Sequence, residues 1–98
     1  MNAKELKQKI QSNEPIVIID IREPYECENG FISEINIPLS EFMNRIDEVP
    51  TDMPVVIYCN SGKRSRSLKF MIEKLHSLTN IQDLEGGYVV WEENALTV

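Results

Sequence analysis

The sequence has no long apolar run, and nothing in it approaches the roughly 18 residues that a membrane-spanning helix needs. The first residues also lack the apolar core of a secretory signal peptide. Cysteine is scarce, with Cys27 and Cys59 far apart in the sequence, and without an export signal such thiols are expected to stay reduced. These absences predict a cytoplasmic protein with no membrane partner.

Net positive charge is absent as well, because 16 acidic residues outweigh 10 basic ones and give a net charge of −6. Nucleic-acid-binding domains usually carry a basic surface, so no nucleic-acid partner is expected. The basic residues are unevenly distributed, however. Residues 63–74 contain five of them and one acidic residue, a local charge of +4. An acidic body with one basic patch is suited to binding a small anion.

The chain shows no internal repeat, low-complexity tract or linker. Its 98 residues are enough for one hydrophobic core and too few for two. We therefore predict a single domain over residues 1–98.

The most informative stretch has the pattern of a strand, a loop and a helix in succession. Val55–Tyr58 is a short apolar and aromatic run, typical of a buried strand. Cys59 opens a polar, basic loop at the carboxyl end of that strand, where ligands bind in open α/β sheets. A helical i, i+3, i+4, i+7 pattern of apolar residues follows at Leu68, Met71, Ile72 and Leu75.

The composition of this loop fits a reactive thiol. A chain that turns into a helix start directs several unpaired N–H groups inward, and the helix dipole adds partial positive charge there. Arg64 adds a full charge, and Gly62 permits a left-handed backbone and the close approach of a ligand. We predict that Cys59 is a nucleophile whose thiolate these groups stabilise. The alternative is that Cys59 is a small buried hydrophobic residue, which leaves the polar and basic run after it unexplained.

The rest of the chain alternates between helical and strand patterns. The predicted elements are a helix capped by Asn2, a strand at Ile16–Ile19, a short helix from Pro24 to Asn29, a strand at Ile35–Ile37, a helix capped by Ser40 and ending near Asp47, a strand at Asn80–Leu84, and a terminal helix from Tyr88. Strands separated by helices imply right-handed crossovers and a mostly parallel sheet. The predicted fold class is therefore α/β, with the sheet between helix layers.

Four segments carry motifs that resemble those of one known family. They are Asp20-Ile21-Arg22-Glu23-Pro24, Gly30-Phe31-Ile32 with Asn36-Ile37-Pro38, the loop Val56–Ser65, and Leu84-Glu85-Gly86-Gly87-Tyr88 with Trp91. In this order and spacing they resemble the rhodanese homology domain, specifically a stand-alone single-domain rhodanese. The resemblance implies a three-layer α/β/α domain whose mostly parallel sheet has about five strands.

The resemblance also implies sulfane-sulfur transfer through a persulfide on Cys59. The expected donor is a small sulfur anion such as thiosulfate, and the expected acceptor is cyanide, a thiol or a sulfur-acceptor protein. Neither a metal nor an organic cofactor is needed. Arg64 and Lys63 are expected to attract the donor anion, within a substrate-binding loop formed by Asn60, Ser61, Gly62, Lys63, Arg64 and Ser65.

Three residues outside the loop have competing interpretations. Asp20 and Arg22 either support the loop region or form a buried structural ion pair, and their opposite charges favour the structural role. Cys27 is interpreted as a packed small residue, with a resolving thiol for the persulfide as the alternative.

Two other functions use the same features. A cysteine phosphatase or arsenate reductase would also hold a thiolate in a ring of amides with an arginine. Phosphatase loops place five residues between the cysteine and the arginine, whereas four separate Cys59 from Arg64, and Tyr58 stands where those enzymes often have histidine. A non-enzymatic interaction or sulfur-relay module is the third possibility, although inactive domains of this kind generally lose the cysteine.

Overall fold

The computed structural model describes residues 1–96 of the chain as three parallel strands alternating with helices. The α-helices are α1 (Ala3–Gln11), α2 (Leu39–Phe42), α3 (Lys63–His76) and α4 (Gly87–Leu96); the strands are β1 (Val17–Asp20), β2 (Val55–Tyr58) and β3 (Ile81–Asp83); short 3₁₀ helices span Pro24–Cys27 and Met43–Glu48. The α/β class predicted from the sequence is confirmed.

The sheet has the order β1-β2-β3, with β2 paired in parallel to both neighbours. Successive side chains of a strand point to opposite faces of its sheet. Accordingly, Val55 and Ile57 of β2 belong to one hydrophobic cluster, and Val56 and Tyr58 belong to another. Both faces of β2 are therefore covered, as the continuous apolar run in the sequence predicts.

Each cluster lies between the sheet and a different set of helices. The first contains Phe42 of α2 and Leu68 and Ile72 of α3. The second contains Ala3 and Leu6 of α1, against which α4 packs. The predicted α/β/α layering is confirmed, and it places the loop after β2 at one end of the sheet.

The sheet is smaller than the sequence analysis predicts, with three strands among residues 1–96 instead of about five. The predicted strand at Ile35–Ile37 contributes a single parallel bridge, between Asp20 and Asn36. Pro38 has no N–H to extend the ladder, and α2 begins immediately after it.

Two predictions about helices need correction. Ser40 does not cap a helix, because the chain already enters α2 at Leu39, whose N–H donates to the carbonyl of Ile21 at 2.9 Å. The predicted apolar face of α3 is also too wide, since Met71 is 47% exposed and Leu75 62% exposed. The buried positions of α3 are Ser65, Leu68 and Ile72, a narrow seam that suffices to cover the small sheet.

The N-terminal helix follows its predicted capping. The side chain of Asn2 accepts a hydrogen bond from the N–H of Glu5 at 2.8 Å, which satisfies one of the unpaired donors of the first turn. Within residues 1–96, no helix combines the length and the apolarity needed to cross a bilayer.

Candidate active site at Cys59

Cys59 directly follows β2, and its loop curls back around the sulfur before α3 begins. The carbonyl of Cys59 accepts a hydrogen bond from the N–H of Tyr88 at 2.9 Å, and that of Asn60 accepts one from Val89 at 3.1 Å. Because the C=O and N–H of a trans peptide point in opposite directions, these bonds turn the following N–H groups away from α4. The first turn of α4 thus fixes how the loop presents its amides.

Two backbone N–H groups of the loop reach the sulfur. Gly62 donates to Sγ of Cys59 at 3.1 Å and Ser65 donates at 3.5 Å, while the hydroxyl of Ser65 lies 3.6 Å from the sulfur. Gly62 has a φ of 95°, in the left-handed region that favours glycine, and this conformation lets its N–H fold back. Cys59 and Ser65 are both fully buried, so the sulfur lies at the bottom of a small set of fixed donors.

The structure gives Arg64 a partner that the sequence analysis missed. Its guanidinium donates two hydrogen bonds to the carboxylate of Glu26, at 2.9 and 2.8 Å. The hydrogen bonds from Arg64 are the main cause of lowering the pKa of Glu26 to about 2. No local pattern connects positions 26 and 64, since the pair forms only when the 3₁₀ helix after β1 packs beside the loop.

The other loop residues lie at the outer rim. Asn60, Ser61 and Lys63 are exposed. Ser61 and Lys63 line a cavity of about 290 Å³ beside the loop, together with Gly62, Arg66, Asp83, Glu85 and Gly86. Within residues 1–96, neither Lys63 nor Arg66 has an ion-pair partner. In this described part of the chain, Lys63 and Arg66 are therefore the unpaired cations of this cavity, which Asp83 and Glu85 also line, whereas Arg64 is paired with Glu26.

Comparison with known proteins places the chain in a family. Residues 2–94 match the model of the rhodanese-like domain. The chain belongs to the rhodanese-like domain family.

Named relatives and a solved structure agree with this placement. A sulfurtransferase from Allochromatium vinosum is 29% identical over 100 residues, which cover 100% of this chain and 92% of that protein. The protein YqhL of Bacillus subtilis is 41% identical over 75 residues, covering 76% of this chain and 59% of YqhL. A crystal structure of a rhodanese-related protein from Thermoplasma volcanium superposes with a TM-score of 0.84 at 33% identity, covering 96% of this chain and 90% of that one.

In this rhodanese-like domain, Asp20 and Arg22 form a buried ion pair with short contacts. Nη2 of Arg22 lies 2.8 Å from Oδ2 of Asp20, and the same carboxylate accepts a hydrogen bond from the hydroxyl of Tyr58 at 2.8 Å. Burial alone would raise the pKa of Asp20, but the hydrogen bonds from Arg22 outweigh it and lower the pKa. Arg22 also donates to the carbonyl of Glu26 at 3.1 Å. The ion pair is therefore buried in the fold and at the same time joined to Glu26, the residue that binds Arg64.

The second cysteine, Cys27, contacts the carboxylate of the Asp20–Arg22 ion pair. The thiol of Cys27 lies 3.3 Å from Oδ2 of Asp20, and burial together with that contact raises its pKa to about 11. A thiol in this state is a poor nucleophile at neutral pH, which argues against the resolving role. Within residues 1–96, no group of three or more His, Cys, Asp and Glu side chains is arranged to hold a metal ion.

Gly87 is the glycine on which the loop depends most directly. A Cβ at this position would lie 2.5 Å from the carbonyl oxygen of Cys59 and 2.6 Å from that of Asn60, and its φ is 64°. We expect Gly87→Ala to destabilise the fold by about 1–3 kcal/mol and to displace the loop. Urea unfolding measures the first effect, and the rate of Cys59 modification measures the second.

Gly30→Ala is the matched comparison for this prediction. Gly30 also has a positive φ, 147°, but its Cβ would meet the terminal oxygen of the Tyr88 side chain, which can move. Gly30→Ala should therefore leave the reactivity of Cys59 closer to that of the wild type than Gly87→Ala does. Equal reactivity in the two variants would show that α4 does not set the loop.

Proposed function

We propose that this rhodanese-like domain is a sulfurtransferase that carries sulfane sulfur on Cys59. The observation that supports this most directly is the Cys59 sulfur just after β2, which accepts hydrogen bonds from the N–H groups of Gly62 and Ser65. Such donors stabilise a thiolate and then the terminal sulfur of a persulfide. The family match and the sulfurtransferase from Allochromatium vinosum supply independent support.

The proposed reaction has two steps. The thiolate of Cys59 attacks the outer sulfur of a donor such as thiosulfate, the S–S bond of the donor breaks, and sulfite leaves with the bonding electrons. Cyanide or the thiolate of an acceptor, which can belong to a protein, then attacks the outer sulfur of the persulfide and releases the Cys59 thiolate. No metal or organic cofactor takes part in either step.

Different residues of the loop and its rim would bind the sulfur and the donor anion. The N–H groups of Asn60 to Ser65 would form the cradle, in which those of Gly62 and Ser65 already donate hydrogen bonds to the sulfur. Lys63 and Arg66 at the rim attract the donor, because neither is neutralised by a partner within residues 1–96. Arg64 acts on the loop together with the carboxylate of Glu26.

Phosphatase or arsenate reductase activity fits the same site less well. Such chemistry needs an arginine free to hold the oxygens of a tetrahedral anion, and here both terminal nitrogens of Arg64 are bound to Glu26. Only four residues separate Cys59 from Arg64, which gives a tight ring better sized for a single sulfur atom.

Intact-mass analysis after incubation with thiosulfate tests the proposal. We expect a gain of one sulfur atom per chain, located on Cys59 by peptide mapping, and its loss on addition of cyanide with release of thiocyanate. Hydrolysis of an aryl phosphate without persulfide formation would instead favour the phosphatase. A folded protein that does neither would favour an interaction module.

A further inference from the structure

Glu26 is held on both sides at the edge of the Cys59 loop. Its carboxylate accepts hydrogen bonds from both terminal nitrogens of Arg64, and Oε1 also accepts one from the N–H of Glu23 at 3.0 Å. The backbone carbonyl of Glu26 accepts a hydrogen bond from the guanidinium of Arg22 at 3.1 Å. A carboxylate with this many donors stays ionised and in place, in agreement with its pKa of about 2.

This carboxylate changes the charge that the loop presents to a ligand. Arg64 belongs to the Cys59 loop and donates both of its terminal nitrogens to Glu26. These hydrogen bonds are the main cause of the raised pKa of Arg64, and negative charge on Cys59 raises that pKa further. With Arg64 compensated, negative charge on a ligand is stabilised by the backbone donors of the loop and by Lys63 and Arg66 at the rim, while the full negative charge of Glu26 lies in contact with the Arg64 guanidinium. Each additional negative charge on an incoming donor is therefore repelled by Glu26.

We propose that Glu26 determines the donor class of this site, by disfavouring dianionic sulfur donors relative to donors that carry one negative charge or none. The inference rests on the proposed sulfurtransferase function and deepens it. A singly charged thiosulfonate illustrates the favoured class. The Cys59 thiolate attacks its outer sulfur, the S–S bond breaks, and a sulfinate leaves with the electron pair, so that the chemistry matches that of thiosulfate at one charge less.

The test compares these two donors in the wild type and in Glu26→Gln. Glutamine keeps an oxygen that can accept a hydrogen bond from Arg64, so the substitution removes the charge while retaining the shape. We expect the second-order rate constant of persulfide formation to rise about fivefold per unit of donor charge. This means about 25-fold for thiosulfate and about fivefold for methanethiosulfonate.

Two further variants test whether the change in donor preference comes from the charge of Glu26. Glu28→Gln makes the same change two residues along at an exposed position, and Glu28 has no ion-pair partner within residues 1–96. It should leave the ratio of the two rates unchanged. Arg64→Gln uncovers the Glu26 charge and should slow thiosulfate more than methanethiosulfonate. If Glu26→Gln slows thiosulfate, or changes both donors equally, Glu26 only positions Arg64 and the proposal is wrong.

A second measurement does not depend on sulfur transfer. Iodoacetate and iodoacetamide alkylate the same thiolate but differ by one negative charge, so the ratio of their rates at Cys59 cancels both the thiolate fraction and the access to the buried sulfur. Glu26→Gln should raise the iodoacetate-to-iodoacetamide ratio about fivefold, with Cys59 identified by peptide mapping. An unchanged ratio overturns the inference, whereas a raised ratio in a protein that forms no persulfide would leave the charge effect intact and refute the sulfurtransferase.

Discussion

Replacing Cys59 with serine is expected to abolish persulfide formation and to lower sulfur-transfer turnover by about 10⁴-fold or more. A serine hydroxyl is not ionised at neutral pH and cannot form the S–S bond that stores the transferred sulfur. The fold should survive, because the hydroxyl can accept hydrogen bonds from the N–H groups of Gly62 and Ser65, which in the wild type donate to the sulfur. Stopped-flow turnover and intact mass after thiosulfate treatment measure both losses.

Cys27→Ser is the natural control, since the protein has one other cysteine. The raised pKa of Cys27, about 11, and its contact with Asp20 predict that this thiol takes no part in transfer. Turnover in Cys27→Ser should stay close to that of the wild type. Persulfide found on Cys27, or turnover retained by Cys59→Ser, would contradict the assignment of the nucleophile.

The strand, loop and helix around Cys59 could be predicted from the sequence because their signals are local. Val55–Tyr58 matches the predicted strand residue for residue, and Gly62 adopts the left-handed conformation that a glycine in this loop permits. α3 begins at Lys63, five residues before the first apolar residue of its pattern, because its first turn forms part of the loop. Short-range patterns of burial and turn chemistry determine these features.

What the sequence could not show depends on contacts between distant residues. Arg64 and Glu26 are 38 positions apart in the sequence. Nothing in the residues around Glu26 indicates which cation its carboxylate will bind. From the sequence, Arg64 is therefore expected to bind the donor and Arg66 receives no role, whereas in the structure Arg66 lines the cavity at the rim and Arg64 is paired with Glu26. The number of strands was overestimated for a related reason, since an apolar segment shows β propensity but not whether a neighbour will pair with it.

Arg22→Leu is expected to lower the free energy of unfolding by about 3–5 kcal/mol, because it leaves a buried carboxylate without its cation. Asp20 is 0% exposed and Arg22 is 2% exposed. The same substitution removes the donors to the carbonyls of Glu26 and Gly30, at 3.1 and 2.9 Å. Urea unfolding followed by circular dichroism measures the loss. Arg45→Leu breaks the ion pairs of Arg45 with Glu41 and Glu48 on the surface and should cost much less.

The pH dependence of this loss separates charge from packing. In the wild type the pKa of Asp20 is lowered, so its contribution to stability is complete above the ordinary value of 3.8 and is lost as the pH falls through the folded value. In Arg22→Leu, fewer hydrogen bonds oppose the effect of burial on the pKa of Asp20. Protonation of Asp20 therefore removes an unpaired buried charge and stabilises the variant. The stability gap between the two proteins should therefore narrow as the pH falls toward 3.8. A gap that stays constant would mean that Arg22 stabilises the fold mainly by packing, for which the Tyr88 ring 4.4 Å from its guanidinium carbon is the evident partner.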